Sequence, residues 1–413
     1  MALVADCPDL SCPQVPMPSG KGLLVTPGVL PSAIIGKRRR ISVLFDMAKL
    51  ALGAGRLSPR EYLELRLCDD SIYGGADKNT FVGLATARKI WFRTNFRVDL
   101  FALANNKIAS AVWFSAHGLP ILPTLALFHE DMGRQSARLL RNDLELSDFL
   151  RDIRNYPLFG KPIEGSQSIG SASVESYVPS HDCLITTAGE MISLDNFVSY
   201  VKSHAKSGYQ FQPRISPHAA IGEMCGNRLA TVRLLTVLTG GKPQIVRACW
   251  KIPAGMHAAD NFWRPGNLLA QINLESGRVL RAIRANGNDY EEITHHPDTG
   301  MPIVGTVIPN WEDVTRLALD GARLLADLPL VGWDIAPIDS GAVLVEANVT
   351  PDFRLHQMAD RRGVLDETFT SFLRQRKLDV RAFLGAGKEA SFLVRLCSLG
   401  GIIGDALRAV LLR

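Results

Sequence analysis

The amino-acid sequence predicts an α+β fold, and three observations lead there. Segments with apolar residues three and four apart alternate with short runs rich in Val, Ile, Leu and aromatic residues. Several of these runs are joined by tight turn signals, which makes neighbouring strands mainly antiparallel. The chain has 413 residues, 46% hydrophobic and 21% charged, enough for two or three domains with a large core.

Residues 1–30 are rich in Pro and Gly and read as a poorly ordered arm. From 42 to 67 the pattern is helical, with Leu44, Met47, Leu50 and Leu52 as its apolar positions. Within it, Ser58-Pro59-Arg60-Glu61 supplies an N-cap with Pro in the first turn. Further helices are expected over 78–91, 106–116 and 147–154. Gly118-Leu119-Pro120-Ile121-Leu122-Pro123 reads as a Pro-bounded strand entry. Residues 158–162 read as a strand and 164–171 as a loop rich in Gly and Ser. The runs 183–187 and 190–194 form a hairpin across Ala188-Gly189. A helix over 197–205 and strands over 209–215, 230–238, 243–251 and 268–274 follow. An amphipathic helix over 309–325 leads into a strand pair within 333–348. The stretch 390–413 mixes Leu, Ile and Val with Arg395, Arg408 and Arg413, and reads as a surface helix.

A formal net charge of +5 is too mild to imply nucleic-acid binding. The one concentrated basic run, Lys37-Arg38-Arg39-Arg40, reads as a solvated helix start. Seven scattered cysteines without a C-x-x-C pair point to free thiols in a reducing compartment. No window approaches the roughly 18–20 apolar residues of a spanning helix, and no leader pattern opens the chain. The expectation is a cytoplasmic protein without an integral membrane span, and a homodimer on the general frequency of that state.

The chemistry-bearing pattern lies late in the chain. Gly332-Trp333-Asp334-Ile335-Ala336-Pro337 and Leu344-Val345-Glu346-Ala347-Asn348 read as paired strands joined at Asp339-Ser340-Gly341. Glu346 and Asn348, two apart on a strand, share a face that Asp334 can join. Three oxygen donors without Cys or His suit Mg²⁺, although acidic residues at strand ends are also common solvated surface. Lys161 ends an apolar strand, and Gly165, Ser166, Gln167 and Ser168 lie in the loop after it, where backbone N–H groups can cradle phosphate. The strand carrying Gln212, Arg214 and Ile215 can offer an apolar slot for a base. Arg233 sits inside an apolar strand and Lys251 at the end of another. A buried cation needs an anionic partner, either a protein carboxylate or a nucleotide phosphate.

This order of parts resembles the ATP-grasp superfamily. His296-Pro297-Asp298-Thr299-Gly300, the 305–311 tract, Gly332-Trp333-Asp334-Ile335 and Glu346-Ala347-Asn348 resemble its sugar-transfer-associated branch, over roughly residues 75–375. Gly118-Leu119-Pro120 with Lys107 upstream is similar to the family's pre-ATP region. The resemblance implies an ATP-grasp fold of two α+β subdomains clasping ATP, behind a helical N-terminal region. It divides the chain into an arm (1–30), a helical pre-ATP region (31–155), a small lid subdomain (156–215), a large Mg-binding subdomain (216–375) and a helical tail (376–413).

The roles it implies are specific. Lys161 and Gln212 contact the nucleotide. Asp334, Glu346 and Asn348 hold Mg²⁺, with Mn²⁺ as a substitute. Arg233 and Lys251 neutralise the transferring phosphoryl group. Two departures stand out: the 165–170 loop is less glycine-dense than in many relatives, and Thr350-Pro351-Asp352 follows Asn348 where Pro-Gly is frequent.

The expected activity is ligation, in which ATP activates a carboxylate as an acyl phosphate and an amine displaces phosphate. The site would be rich in cations and carboxylates and need no nucleophile of its own. His257, Asp260, Asn261, Arg264, Asn267, Asp352 and Arg354 are candidate contacts to the acid or the amine, with loop surface as the other reading. Transfer to a hydroxyl would instead need a base, with Asp352 or His356 as candidates. A non-catalytic ATP-binding partner is the third reading.

Overall fold

The computed structural model describes residues 40–73, 75–133, 137–163, 170–255, 260–286 and 289–378. The arm at 1–30, Lys37 to Arg39 and the tail at 390–413 lie outside them. The architecture is α+β, with two seven-stranded sheets among the described residues. Among the described residues six helices come first: α1 (Arg40–Leu52), α2 (Pro59–Glu64), α3 (Asp70–Tyr73), α4 (Leu84–Thr94), α5 (Val98–Asn105) and α6 (Lys107–Ala116).

The expected helix over 42–67 is two helices. Gly55 sits where a Cβ would meet the Phe81 carbonyl oxygen at 1.8 Å, so the chain turns there on a residue that only glycine can be. Ser58 then restarts the helix with a complete capping box: it accepts from Glu61 N at 3.3 Å and donates its own N–H to the Glu61 carboxylate at 2.9 Å. The helix expected from 78 begins at Leu84. Asp77 caps a single 3₁₀ turn over Lys78–Thr80, and Gly83 becomes the N-cap of α4. Asn106 caps α6 by accepting from Ile108 N and Ala109 N, each at 3.0 Å.

One compact unit contains the described residues of 122–215. It holds β1 (Ala126–Phe128), β2 (Arg138–Leu140), α7 (Asp143–Arg151), β3 (Leu158–Pro162), β4 (Ala172–Val178), β5 (Cys183–Thr186), β6 (Met191–Ser193), α8 (Leu194–His204) and β7 (Tyr209–Pro213). The strand order is β2-β1-β7-β3-β4-β5-β6. Residues 122–155, grouped with the helical region in the sequence reading, belong to this unit. Asn142 starts α7 earlier than expected by accepting from Glu145 N at 2.9 Å. The expected hairpin is β5–β6. Phe149 and Leu150 of α7 and Phe197 and Val201 of α8 pack with Tyr209 and Phe211 of β7.

The second unit takes α1–α6 together with α9 (Ala219–Cys225), β8 (Val232–Thr239), β9 (Lys242–Ile252), β10 (Leu268–Ile272), β11 (Val279–Asn286), β12 (Asp289–Ile293), α10 (Trp311–Leu324), β13 (Leu330–Ile338), β14 (Gly341–Asn348), α11 (Phe353–Asp360) and α12 (Glu367–Gln375). Its sheet is antiparallel throughout, in the order β12-β11-β10-β9-β8-β13-β14. Val232, Leu234, Trp250, Trp333 and Ile335 join α10 and Phe114 of α6 in one core. Alternate positions point to the other face, towards α11. No helix among the described residues is long and apolar enough to cross a membrane.

Candidate functional site

In the second unit, register assembles the charged centre. β13 pairs with β8 on one side and β14 on the other, so Arg233, Asp334 and Glu346 stand in one cross-strand row. Gly332 and Asn348 stand in the next. In-register residues share a face, here the one turned away from Trp333 and Trp250. Gly332 keeps that row open: a Cβ there would come within 2.9 Å of Pro351 Cβ and 3.4 Å of Arg233 Cδ.

Arg233 grips Asp334 with a fork, Nε donating to Oδ1 and Nη2 to Oδ2 at 2.7 Å. Lys251 Nζ donates to the same Oδ2 at 3.1 Å and lies 3.6 Å from the Asp260 carboxylate. Asp260 accepts from Thr231 N at 2.7 Å and from Thr231 Oγ1. None of the four charged side chains is more than 12% exposed. Burial opposes the Asp334 carboxylate, but the Arg233 and Lys251 charges outweigh it and hold the group well below the usual range. Burial likewise works against Lys251, while Asp260 and Asp334 carry its ammonium above its ordinary value. At Asp260 burial prevails and pushes the carboxyl up.

Glu346 lies near enough to Arg233 to act on its charge, yet forms no ion pair with a described residue. Asn348 has a buried Nδ2 with no hydrogen-bond partner among the described residues. His356, on α11, is fully buried, and neither ring nitrogen has a hydrogen-bond partner among the described residues. Burial first, then the Arg233 and Arg247 guanidiniums, push it down to about 3, so the ring is neutral at pH 7. Arg247 itself is held by Asp360 at 3.2 Å and Asp366 at 2.7 Å.

The donor set can be tested against a divalent cation of the Mg²⁺ kind. Glu346 and Asn348 are hard oxygen ligands on one strand face, and neither side chain is tied down by another described residue. Asp334 does not fit in the same way, because both its oxygens already accept from buried cations. Among the described residues no group of three or more His, Cys, Asp or Glu side chains is placed to hold a metal ion.

The first unit carries a counterpart whose fully buried polar side chains are neutral. Lys161 of β3 is the register partner of Gln210 of β7, and Gln212 is the partner of Phe159. These residues occupy the face opposite Tyr209 and Phe211. Gln210 Nε2 donates to Thr124 Oγ1 at 2.6 Å and Gln212 Nε2 to the Leu122 carbonyl at 3.2 Å. The Oε1 atoms of both glutamines are buried without a partner among the described residues. Arg214 is taken by Glu175 at 2.6 Å, and Ile215 is half-buried beyond the strand end.

The remaining candidates divide. Gly165, Ser166, Gln167, Ser168 and His257 lie outside the described residues. Lys107 is the half-buried first residue of α6. Asn267 is a fully buried strut, accepting from Ala254 N at 2.9 Å and donating to the Asn261 carbonyl at 2.8 Å. Asn261 accepts from Trp263 N at 3.1 Å, and Arg264 N donates back to the Asn261 carbonyl at 3.0 Å. Asp352 caps α11 and binds Arg354, which also reaches Glu64 at 2.9 Å and lies 4.5 Å over the Trp263 ring. These last two hold the fold together rather than stand free. Gln210 is not among the residues singled out in the sequence, although the alternation Tyr209-Gln210-Phe211-Gln212 puts it on the face of Gln212.

Comparison with known proteins identifies the family. The model of the family described as sugar-transfer associated ATP-grasp matches residues 89–371. No curated protein matches the chain in sequence. Among solved structures, the chain is similar to D-alanine–D-alanine ligase from Coxiella burnetii, with 13% identity, a TM-score of 0.37, and coverage of 73% of this chain and 62% of that one. It is also similar to N5-carboxyaminoimidazole ribonucleotide synthetase in complex with ADP, at 10% identity, TM-score 0.36, and 65% and 53% coverage. A third likeness is to the ATP-grasp ligase PsnB complexed with Mg, ADP and a precursor variant, at 12% identity, TM-score 0.33, and 68% and 61% coverage. The chain thus spans 53–62% of the length of these three proteins.

Proposed function

Since this chain belongs to the sugar-transfer associated ATP-grasp family, we propose that it is an ATP- and Mg²⁺-dependent ligase that joins a carboxylate to an amine. The observation that carries the reading is the row Glu346–Asp334–Arg233 with Lys251 beside it. Arg233, Asp334 and Lys251 are buried, and the thiol beside them, Cys249 in register with Arg233, is pushed up by burial and so is not the thiolate a nucleophile needs; Glu346 and Asn348 are half-buried and without a side-chain partner among the described residues. Such a set suits stabilisation of a transferring phosphoryl group, a reaction that asks for charge and position more than for acid–base chemistry.

In this reading a carboxylate oxygen of the substrate attacks the γ-phosphorus of ATP, and ADP leaves. The amine then attacks the acyl phosphate carbonyl, phosphate leaves, and the amine loses one proton. Glu346 and Asn348 would hold Mg²⁺, or Mn²⁺ in its place, which supplies charge neutralisation on the phosphates. Arg233 and Lys251, fixed by Asp334 and Asp260, present positive charge to the phosphoryl oxygens. Lys161 contributes a phosphate contact, and Gln212 a polar contact at the base.

Transfer to a hydroxyl would need a base at the acceptor. Asp352 is occupied by Arg354, and His356 is fully buried and pushed down to about 3, which makes its ring a weak base, so neither of the residues read for that role is suited to it. The identities of the acid and the amine are left to a substrate panel. Incubation with Mg–ATP, pooled carboxylic acids and hydroxylamine is expected to yield a hydroxamate. A stable phosphoester in its place would establish the kinase reading. ATP left intact under every acid and amine tried would favour a non-catalytic ATP-binding partner.

A further inference from the structure

We infer that Asp334 is the keystone of a buried ion cluster that positions Arg233 and Lys251, and that it is not itself a metal ligand. The inference rests on the Mg–nucleotide reading above for its second half and assigns the divalent cation to Glu346 and Asn348. The geometry of Asp334 leads there. Its Oδ1 accepts from Arg233 Nε, and its Oδ2 from Arg233 Nη2 at 2.7 Å and Lys251 Nζ at 3.1 Å. The side chain is 6% exposed.

Charge balance points the same way. Arg233 and Lys251 carry two positive charges, and Asp334 and Asp260 two negative ones, so the buried quartet is neutral as it stands. A divalent ion drawing on Asp334 would compete with Arg233 for its carboxylate partner, and a weakened buried pair is costly. Asp260, fixed by Thr231 N at 2.7 Å and 3.6 Å from Lys251, answers the lysine alone, so Arg233 has no second ion pair among the described residues. Glu346, in register with Asp334 on the next strand, has no such obligation. Gly332 completes the arrangement, since a side chain there would press on Pro351 and on the Arg233 stem.

The consequence is a division of labour along one row: Asp334 orients the cations, and Glu346 with Asn348 meets the metal. Asp334 is thus a positioning residue whose loss disturbs Arg233 and Lys251 rather than metal affinity.

The test uses the full chain and Mn²⁺ as probe, titrated by electron paramagnetic resonance with and without a non-hydrolysable ATP analogue. Thermal unfolding is followed in parallel. Asp334→Asn is expected to keep Mn²⁺ affinity within about threefold of wild type, whereas Glu346→Gln loses about tenfold or more. Asp334→Asn is also expected to lower Tm by about 5 °C, and the double variant Arg233→Met/Asp334→Leu to recover most of that fall, because it leaves Lys251 with Asp260. If Asp334→Asn does not fold, the double variant decides.

A folded Asp334 variant that loses Mn²⁺ about as strongly as Glu346→Gln overturns the inference. An unchanged Tm in Asp334→Asn overturns the keystone role by itself. Wild-type protein that binds no Mn²⁺ with or without the analogue sinks the Mg–nucleotide reading instead, and the Tm pattern still decides the role of Asp334.

Discussion

The β8–β13 region of one unit and the β3–β7 region of the other both bury polar side chains, but they treat them differently. In the first, every buried charge at the centre is answered from within: Arg233 and Lys251 by Asp334, Lys251 again by Asp260, Arg247 by Asp360 and Asp366. In the second, Gln210 and Gln212 each satisfy the donor end of the carboxamide and leave the acceptor end open. Ions cannot be left half-paired in a low-dielectric interior, whereas a neutral carboxamide can wait for a ligand at modest cost. Among the described residues the buried charges are therefore paired within the protein, while the neutral Gln210, Gln212, Asn348 and His356 and the half-buried Glu346 stay uncommitted.

The largest effect should come from breaking the self-answered region. Arg233→Met leaves Asp334 buried with Lys251 alone and is expected to cost about 3 kcal/mol or more in urea unfolding. A cost near zero would mean that the row is not the buried pair described.

A smaller effect separates His356 from its neighbours. Its folded value is depressed from 6.5 to about 3, so it contributes stability above the unfolded value that is lost as pH falls towards 3. Replacing it by Gln should remove that loss, and the stability difference between variant and wild type should change by about 1 kcal/mol per pH unit between about pH 6 and 4. Asp360, where burial raises the carboxyl to about 6, acts with the opposite sign by favouring the folded state as pH falls below that value. Comparing the variant with wild type cancels its contribution. Parallel pH profiles would show that the ring is not held neutral.

The smallest effect on folding belongs to the carboxamides. Gln212→Leu should change stability by no more than about 1 kcal/mol, since only one hydrogen bond is lost, while nucleotide affinity measured by calorimetry falls. If this change were as costly as Arg233→Met, the contrast between the two regions would fail.

Much of this was legible in the sequence where the signal is local. The capping pattern Ser58-Pro59-Arg60-Glu61, the hairpin across Ala188-Gly189 and the long strands ending in Glu346-Ala347-Asn348 all depend on neighbours in the chain. So does the shared face of Gln210 and Gln212, which the period of a strand makes visible. What the sequence could not disclose was pairing at long range. Arg233 needs either a protein carboxylate or a phosphate, and only the register of β8 against β13 shows Asp334, 101 residues away, in that position. The same holds for Arg354, whose partner Glu64 comes from α2. Both residues looked available for ligands when only their type and neighbours were known.

The most direct test of the central claim is calorimetric titration of a non-hydrolysable ATP analogue into the full chain, with and without Mg²⁺, for wild type and Glu346→Ala. The account predicts saturable binding at one site that requires Mg²⁺ and is lost in the folded variant. Absence of binding, or binding indifferent both to Mg²⁺ and to residue 346, would contradict it.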